Sequence, residues 1–136
     1  MRRLAVLLAV WGFAASALAP QAVVPQAAAA SARTFVVFFQ EWSAGLDKPA
    51  LETIAAAARA AAQDPSATVT VTGFADPLGS VQANIYLTET RAQVVTDQLT
   101  ADGVAAARIH QHAAGKVPYQ LTSQESRRAV IVVGGP

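Results

Sequence analysis

GFADPLGSVQANIYLTETRA, residues 73–92, sits where the pattern of the chain changes. The run before it, ATVTVT at Ala67–Thr72, alternates, which predicts a strand with Val69 and Val71 on one face and solvated threonines on the other. Asp76, Pro77 and Gly79 then mark a turn. From about Val81 to Asp102 the period becomes helical, with Gly103 as the stop signal. At ~100° per residue, Val81, Ile85, Leu87, Ala92, Val94, Val95 and Leu99 fall on one broad arc, and Asn84 and Arg91 fall inside it. A guanidinium keeps its proton. An arginine on a core-facing arc must therefore find acceptors or line a cavity that water or a ligand can enter. Asp76 is the expected partner. Asn84 and Arg91 lie two turns, ~10 Å, apart on one line, so carboxylate, amide and guanidinium can converge on one small site.

Working outward, Thr34–Phe39 (TFVVFF) is apolar, β-branched and aromatic, which predicts a strand covered on both faces or central in a sheet. Gln40–Leu46 reads as a loop. Asp47, Lys48 and Pro49 start a helix on which Leu51, Ile54, Ala55, Ala58 and Ala62 recur at helical spacing up to Asp64-Pro65. Beyond the central stretch, Arg108–Ala113 (RIHQHA) suggests a short edge strand, a loop with Gly115 and Pro118 runs to about Arg127, and Ala129–Val133 (AVIVV) is a last buried strand. The order βαβαββ implies an α/β two-layer sandwich, with two helices on one face of a mixed four-stranded sheet.

The N-terminus is of a different kind. Residues 1–19 carry two arginines, an apolar run and then small residues, the layout of a signal peptide, with cleavage frames at Ala15-Ser16-Ala17 and Ala17-Leu18-Ala19. The alternative is an uncleaved membrane anchor, but the apolar run is marginal against the ~20 residues a span requires. Residues 20–32, rich in Ala, Pro and Gln, read as a linker, and residues 33–136 as the one globular domain.

Composition excludes several classes. Without Arg2 and Arg3 of the leader, eight basic residues face nine acidic ones, so the basic footprint of a nucleic-acid binder is missing. There are no cysteines, hence no disulfide framework, thiolate metal site or lipid-modified cysteine. No nucleophile elbow or glycine-rich phosphate loop occurs. Asp76 with Glu89 is a conceivable carboxylate pair for glycan hydrolysis, but Glu89 lies ~100° or more around the helix from Arg91. We therefore expect no catalytic residues and no cofactor. His110 and His112, two apart on a strand, share a face with a spacing that suits zinc or copper; with no third ligand in view, exposed edge histidines are the favoured reading and no metal is expected.

Asp76, Gly79, Asn84, Leu87, Thr88, Arg91 and Ala92 resemble the core signature of the OmpA-like peptidoglycan-binding domain, and a weaker likeness extends over Thr34–Val133. The resemblance implies non-covalent binding of the diaminopimelate zwitterion of the stem peptide, with Asp76 on the ammonium, Arg91 on the carboxylate and Asn84 giving an orienting hydrogen bond. By geometry alone an internal Asp76–Arg91 ion pair is the competing reading. Arg127 and Arg128 stand where the family carries Asn-Arg-Arg, with Ser126 in place of the Asn. Alternation lets at most one face the site, and the resemblance favours Arg127.

Some positions depart from the family pattern. Ala75 replaces a usual Thr, and Gln40, Glu41 and Trp42 stand in a region where the family tends to be acidic. Ala113-Ala114-Gly115-Lys116 replaces a Gly-x-Gly-Glu, and the loop Pro118–Ser126 is short. The resemblance further implies a periplasmic, exported envelope protein, either free or associated with the outer membrane, with peptidoglycan and envelope proteins as partners. A scaffold or protein-interaction module on the same fold, and a membrane-tethered wall anchor, are the alternatives.

Overall fold

The computed structural model describes residues 31–116 and 123–135. The leader, nearly all of the linker and residues 117–122 of the predicted short loop lie outside the described residues. The elements are β1 (Arg33–Phe38), α1 (Lys48–Gln63), β2 (Val69–Ala75), α2 (Val81–Ala101), a 3-10 turn (Ala106–Arg108), β3 (Ile109–Lys116), the one-turn α3 (Ser123–Ser126) and β4 (Arg128–Val133). They form the expected mixed four-stranded sheet, ordered β1-β4-β2-β3. β4 runs antiparallel to both β1 and β2, and β3 runs parallel to β2.

Both long helices have side-chain N-caps. Asp47 accepts from the Ala50 N–H at 2.9 Å and Ser80 from the Ala83 N–H at 3.1 Å, each satisfying a donor that the first helical turn leaves without a partner. Past the end of α2, Val104 donates back to the Leu99 carbonyl at 3.0 Å, and both side chains are buried. That closes the helix and adds an apolar contact under the last turn. The core lies between the helices and one face of the sheet. Val69 and Val71 of β2, Ala129, Ile131 and Val133 of β4 and Val37 of β1 meet Ile54, Ala57, Ala58, Ala61, Val95 and Leu99.

Four readings of the apolar pattern need correction. β1 is an edge strand rather than a central one: among the described residues it pairs only with β4, and Phe38, on the face away from the helices, is 42 % exposed. An apolar run says that a strand is comfortable out of water, not that both its faces are covered. On α1 the buried residues are Ala50, Ile54, Ala57, Ala58, Ala60 and Ala61, whereas Leu51 and Ala62 are exposed. In an alanine-rich helix several arcs score alike, and the sheet chooses among them. On α2, Val81 is exposed and the inward line is Asn84, Thr88, Arg91, Ala92, Val95 and Leu99. Finally, β3 begins at Ile109 and runs on through Gly115 to Lys116, while α3 shortens the loop before β4.

Arg108 is not a strand residue. Its guanidinium donates to the carbonyls of Ala61 (3.0 Å), Asp64 (2.8 Å) and Ala67 (Nε at 3.0 Å), so it caps the end of α1 from 41 or more residues away.

Gly73 fixes how closely α2 lies on β2. A Cβ there would fall 2.1 Å from the Thr88 carbonyl oxygen and 3.3 Å from the Ala92 nitrogen, both backbone atoms that cannot turn aside. Gly73→Ala is expected to destabilise the fold by about 1–3 kcal/mol, the usual range for overpacking. A melting temperature equal to wild type would show that the helix can shift at no cost.

Candidate functional site

The site lies where β2 ends, α2 begins and β4 begins. Asp76 follows Ala75, the last residue of β2, and is 5 % exposed. Its Oδ1 accepts from the Leu78 N–H at 3.3 Å, an Asx-type turn that orients the carboxylate. Its Oδ2 lies 3.6 Å from Nη1 of Arg127. Arg127 thus points toward Asp76, while its neighbour Arg128 turns to the other side and stacks over Phe74 at 4.4 Å. Alternation along the strand start gives this divergence.

Arg91 is fully buried, and it does not form the direct ion pair expected with Asp76. Its Nε donates to the Ser43 carbonyl (2.9 Å), Nη1 to the Phe74 carbonyl (3.0 Å) and Nη2 to the Gln40 carbonyl (3.1 Å). The guanidinium also lies 5.1 Å from the centre of the Phe39 ring. It therefore ties the β1–α1 loop to the end of β2. Burial lowers its pKa from the usual arginine range to about 10, against the attraction of nearby Asp76 and with a smaller push from Arg127, so it stays charged at neutral pH. Each terminal nitrogen keeps a second N–H beyond these bonds.

Asn84 spends its amide on its own loop. Nδ2 donates to the carbonyls of Leu78 (2.6 Å) and Ser80 (3.0 Å), and Oδ1 is buried without a hydrogen-bond partner among the described residues. Its place is to hold the turn that carries Asp76. Thr88, which the helical arc missed, donates to the Ile85 carbonyl and accepts from the Gly115 N–H at 3.2 Å, joining α2 to the end of β3. An inward threonine among inward polar residues at i, i+4 and i+7 was a readable signal.

The structure thus gathers Asp76 and Arg127 at one mouth with Arg91 behind them, and sets Asn84 under the turn. Glu89 is exposed on α2 and is not part of this group. His110 and His112 are exposed and line a separate depression with Thr68, Thr70 and Asp64. Among the described residues no group of three metal-ligating side chains occurs.

The sequence matches the model of the OmpA family over residues 38–130. The chain belongs to the OmpA family. It is 31 % identical over 105 residues to a peptidoglycan-associated lipoprotein of Agrobacterium fabrum, covering 73 % of this chain and 59 % of that protein, so it spans less than two thirds of that relative. Among solved structures, the fold is similar to the peptidoglycan-associated lipoprotein of Burkholderia pseudomallei, with TM-score 0.64 at 21 % identity over 73 % of this chain and 88 % of that one. It is also similar to the cell wall anchor of the T6SS from Pseudomonas aeruginosa, with TM-score 0.62 at 23 % identity over 77 % and 82 %. OmpA-like domains form a peptidoglycan-binding family and are non-enzymatic.

Proposed function

We propose that this chain binds peptidoglycan in the periplasm, without catalysis, by gripping the zwitterionic free end of diaminopimelate in the stem peptide. The observation that carries the reading is the juxtaposition of Asp76 and Arg127 across 3.6 Å with the buried cation Arg91 behind them. An ammonium and a carboxylate on one carbon need one anion and one cation side by side, and this is the smallest arrangement that supplies both. The Asp76–Arg127 separation is longer than a hydrogen-bonded pair. A bound zwitterion replaces that loose approach by two short bonds: its ammonium on Asp76, and its carboxylate on Arg127 and the remaining N–H groups of Arg91. Asn84 acts as a positioning residue beneath the Asp76 turn.

Incubation of the full-length protein with insoluble cell wall, followed by centrifugation, tests the reading. Wild type is expected in the pellet and Asp76→Ala in the supernatant; equal pelleting of the two would refute the site. Asn84→Ala removes two hydrogen bonds from the turn and is expected to weaken wall binding about tenfold, with a measurable fall in melting temperature. Weakened binding with no change in melting temperature would instead make Asn84 a direct ligand contact.

A further inference from the structure

Trp42 is held in an unusual way. Gln40–Ser43 is a tight turn closed by the Ser43 N–H on the Gln40 carbonyl at 3.2 Å, with Trp42 third of the four residues at φ 50°. That position favours glycine or asparagine, and a bulky side chain there is strained. Arg91 holds the turn from beneath, bonding both Gln40 and Ser43, the residues at its two ends. The indole overlies Gly79, where a Cβ would come 2.3 Å from Cη2 of the ring, yet Trp42 remains 53 % exposed. Gly79 itself has φ +81° and no room for a side chain under the ring. On either side of it in sequence, Leu78 is 46 % exposed and Val81 60 %. One backbone position is strained to display an aromatic ring, and another is bare to seat it, three residues from Asp76.

We propose that Trp42 is a specificity-determining platform for the stem peptide beyond diaminopimelate, taking the methyl group of the alanine that follows it. This rests on the zwitterion reading of the neighbouring site, and distance selects the occupant. Gly79 is at most about 10 Å along the chain from Asp76, and the two α-carbons of diaminopimelate are about 5 Å apart when extended. With the free end on Asp76, the part of the ligand reaching the indole is therefore the stem at the diaminopimelate residue and its neighbour. The sugar is two further residues away. Beyond diaminopimelate itself, the alanine methyl is the apolar group available there, and it matches a surface that offers an indole with the exposed Leu78 and Val81 close to its seat in sequence.

The sequence contains two tryptophans, Trp11 in the expected leader and Trp42, so Trp42 is its sole indole once the leader is removed, and Trp11→Phe secures the same where the leader is kept. In that protein, a stem tetrapeptide ending in alanine is expected to shift the Trp42 emission to the blue and to bind about tenfold more tightly than free meso-diaminopimelate or the tripeptide without that alanine. By calorimetry, Trp42→Gly is expected to lose the tenfold gain, keep the affinity for free diaminopimelate within about twofold, and melt at the same temperature or higher, because glycine suits the turn. Tetrapeptide binding with unmoved Trp42 emission, or Trp42→Gly binding the tetrapeptide as wild type does, overturns the platform. A gain seen only with a sugar-bearing fragment overturns the alanine assignment. If Asp76→Asn binds diaminopimelate like wild type, it is the zwitterion reading that fails.

Discussion

Replacing Arg91 with methionine is expected to destabilise the protein by about 3–5 kcal/mol, the range for removing one partner of a buried, charge-bonded group. For a chain of this size that lowers the melting temperature by roughly 10 °C or more. Methionine nearly fills the volume but donates nothing, and the carbonyls of Gln40, Ser43 and Phe74 lose their charged donor. Two of them lie on the β1–α1 loop and one at the end of β2, so the loop also loses its tie to the sheet. Arg91→Lys is expected to rescue little. An ammonium is a point charge on one stem and cannot serve three carbonyls that the planar fork reaches in three directions. The opposing consideration is that burial works against the charge of Arg91 and lowers its pKa. If that cost outweighed the three bonds, Arg91→Met would melt at or above wild type, and thermal melts of the three proteins decide between the two.

Asp76→Asn is expected to cut affinity for the stem peptide by about 30-fold to 150-fold, which corresponds to about 2–3 kcal/mol for removing one charge-assisted hydrogen bond in a largely buried site. The change is nearly isosteric. Its amide oxygen can still accept from the Leu78 N–H, but the carboxylate and Arg127 are only 7 % and 16 % exposed, so withdrawing the charge also costs about 1–3 kcal/mol of stability. Affinity should nevertheless fall in the protein that remains folded. The two substitutions together separate Arg91, which builds the site as well as facing the proposed carboxylate, from Asp76, whose proposed part is to meet the ammonium. A fall in affinity for Asp76→Asn that is no larger than the loss of folded protein would remove Asp76 from the ligand.

Much of this was legible in the chain itself, for physical reasons that differ by element. The switch from alternation at Val69 and Val71 to helical spacing after Val81 fixes β2 and α2, because each period belongs to one backbone geometry. An arginine on the inward arc of α2 announced a buried polar centre, and Asp76 at the strand end lies close to it, as the spacing suggested. What could not be read is where the guanidinium finds its acceptors. The Gln40 and Ser43 carbonyls lie 51 and 48 residues earlier, and every residue type has a carbonyl, so the sequence leaves no mark of them. The edge position of β1 was hidden for a related reason, since pairing partners are chosen by topology and not by composition. Arg108 is another case: the run RIHQHA reads as an edge strand that includes it, whereas the fold sets it before β3, against the end of α1. Trp42 stood out only as a departure from the family pattern. Its left-handed backbone and its seat on Gly79 belong to the structure.

Titration calorimetry of the full-length protein with two forms of one stem peptide bears most directly on the central claim. In one form the free end of diaminopimelate carries its ammonium and carboxylate; in the other that carboxylate is amidated. Saturable one-to-one binding of the first and a loss of at least tenfold for the second, which withdraws the anion from Arg127 and Arg91, is the predicted result. Equal affinity for the two would mean that the charged tip is not what the Asp76–Arg127 mouth recognises.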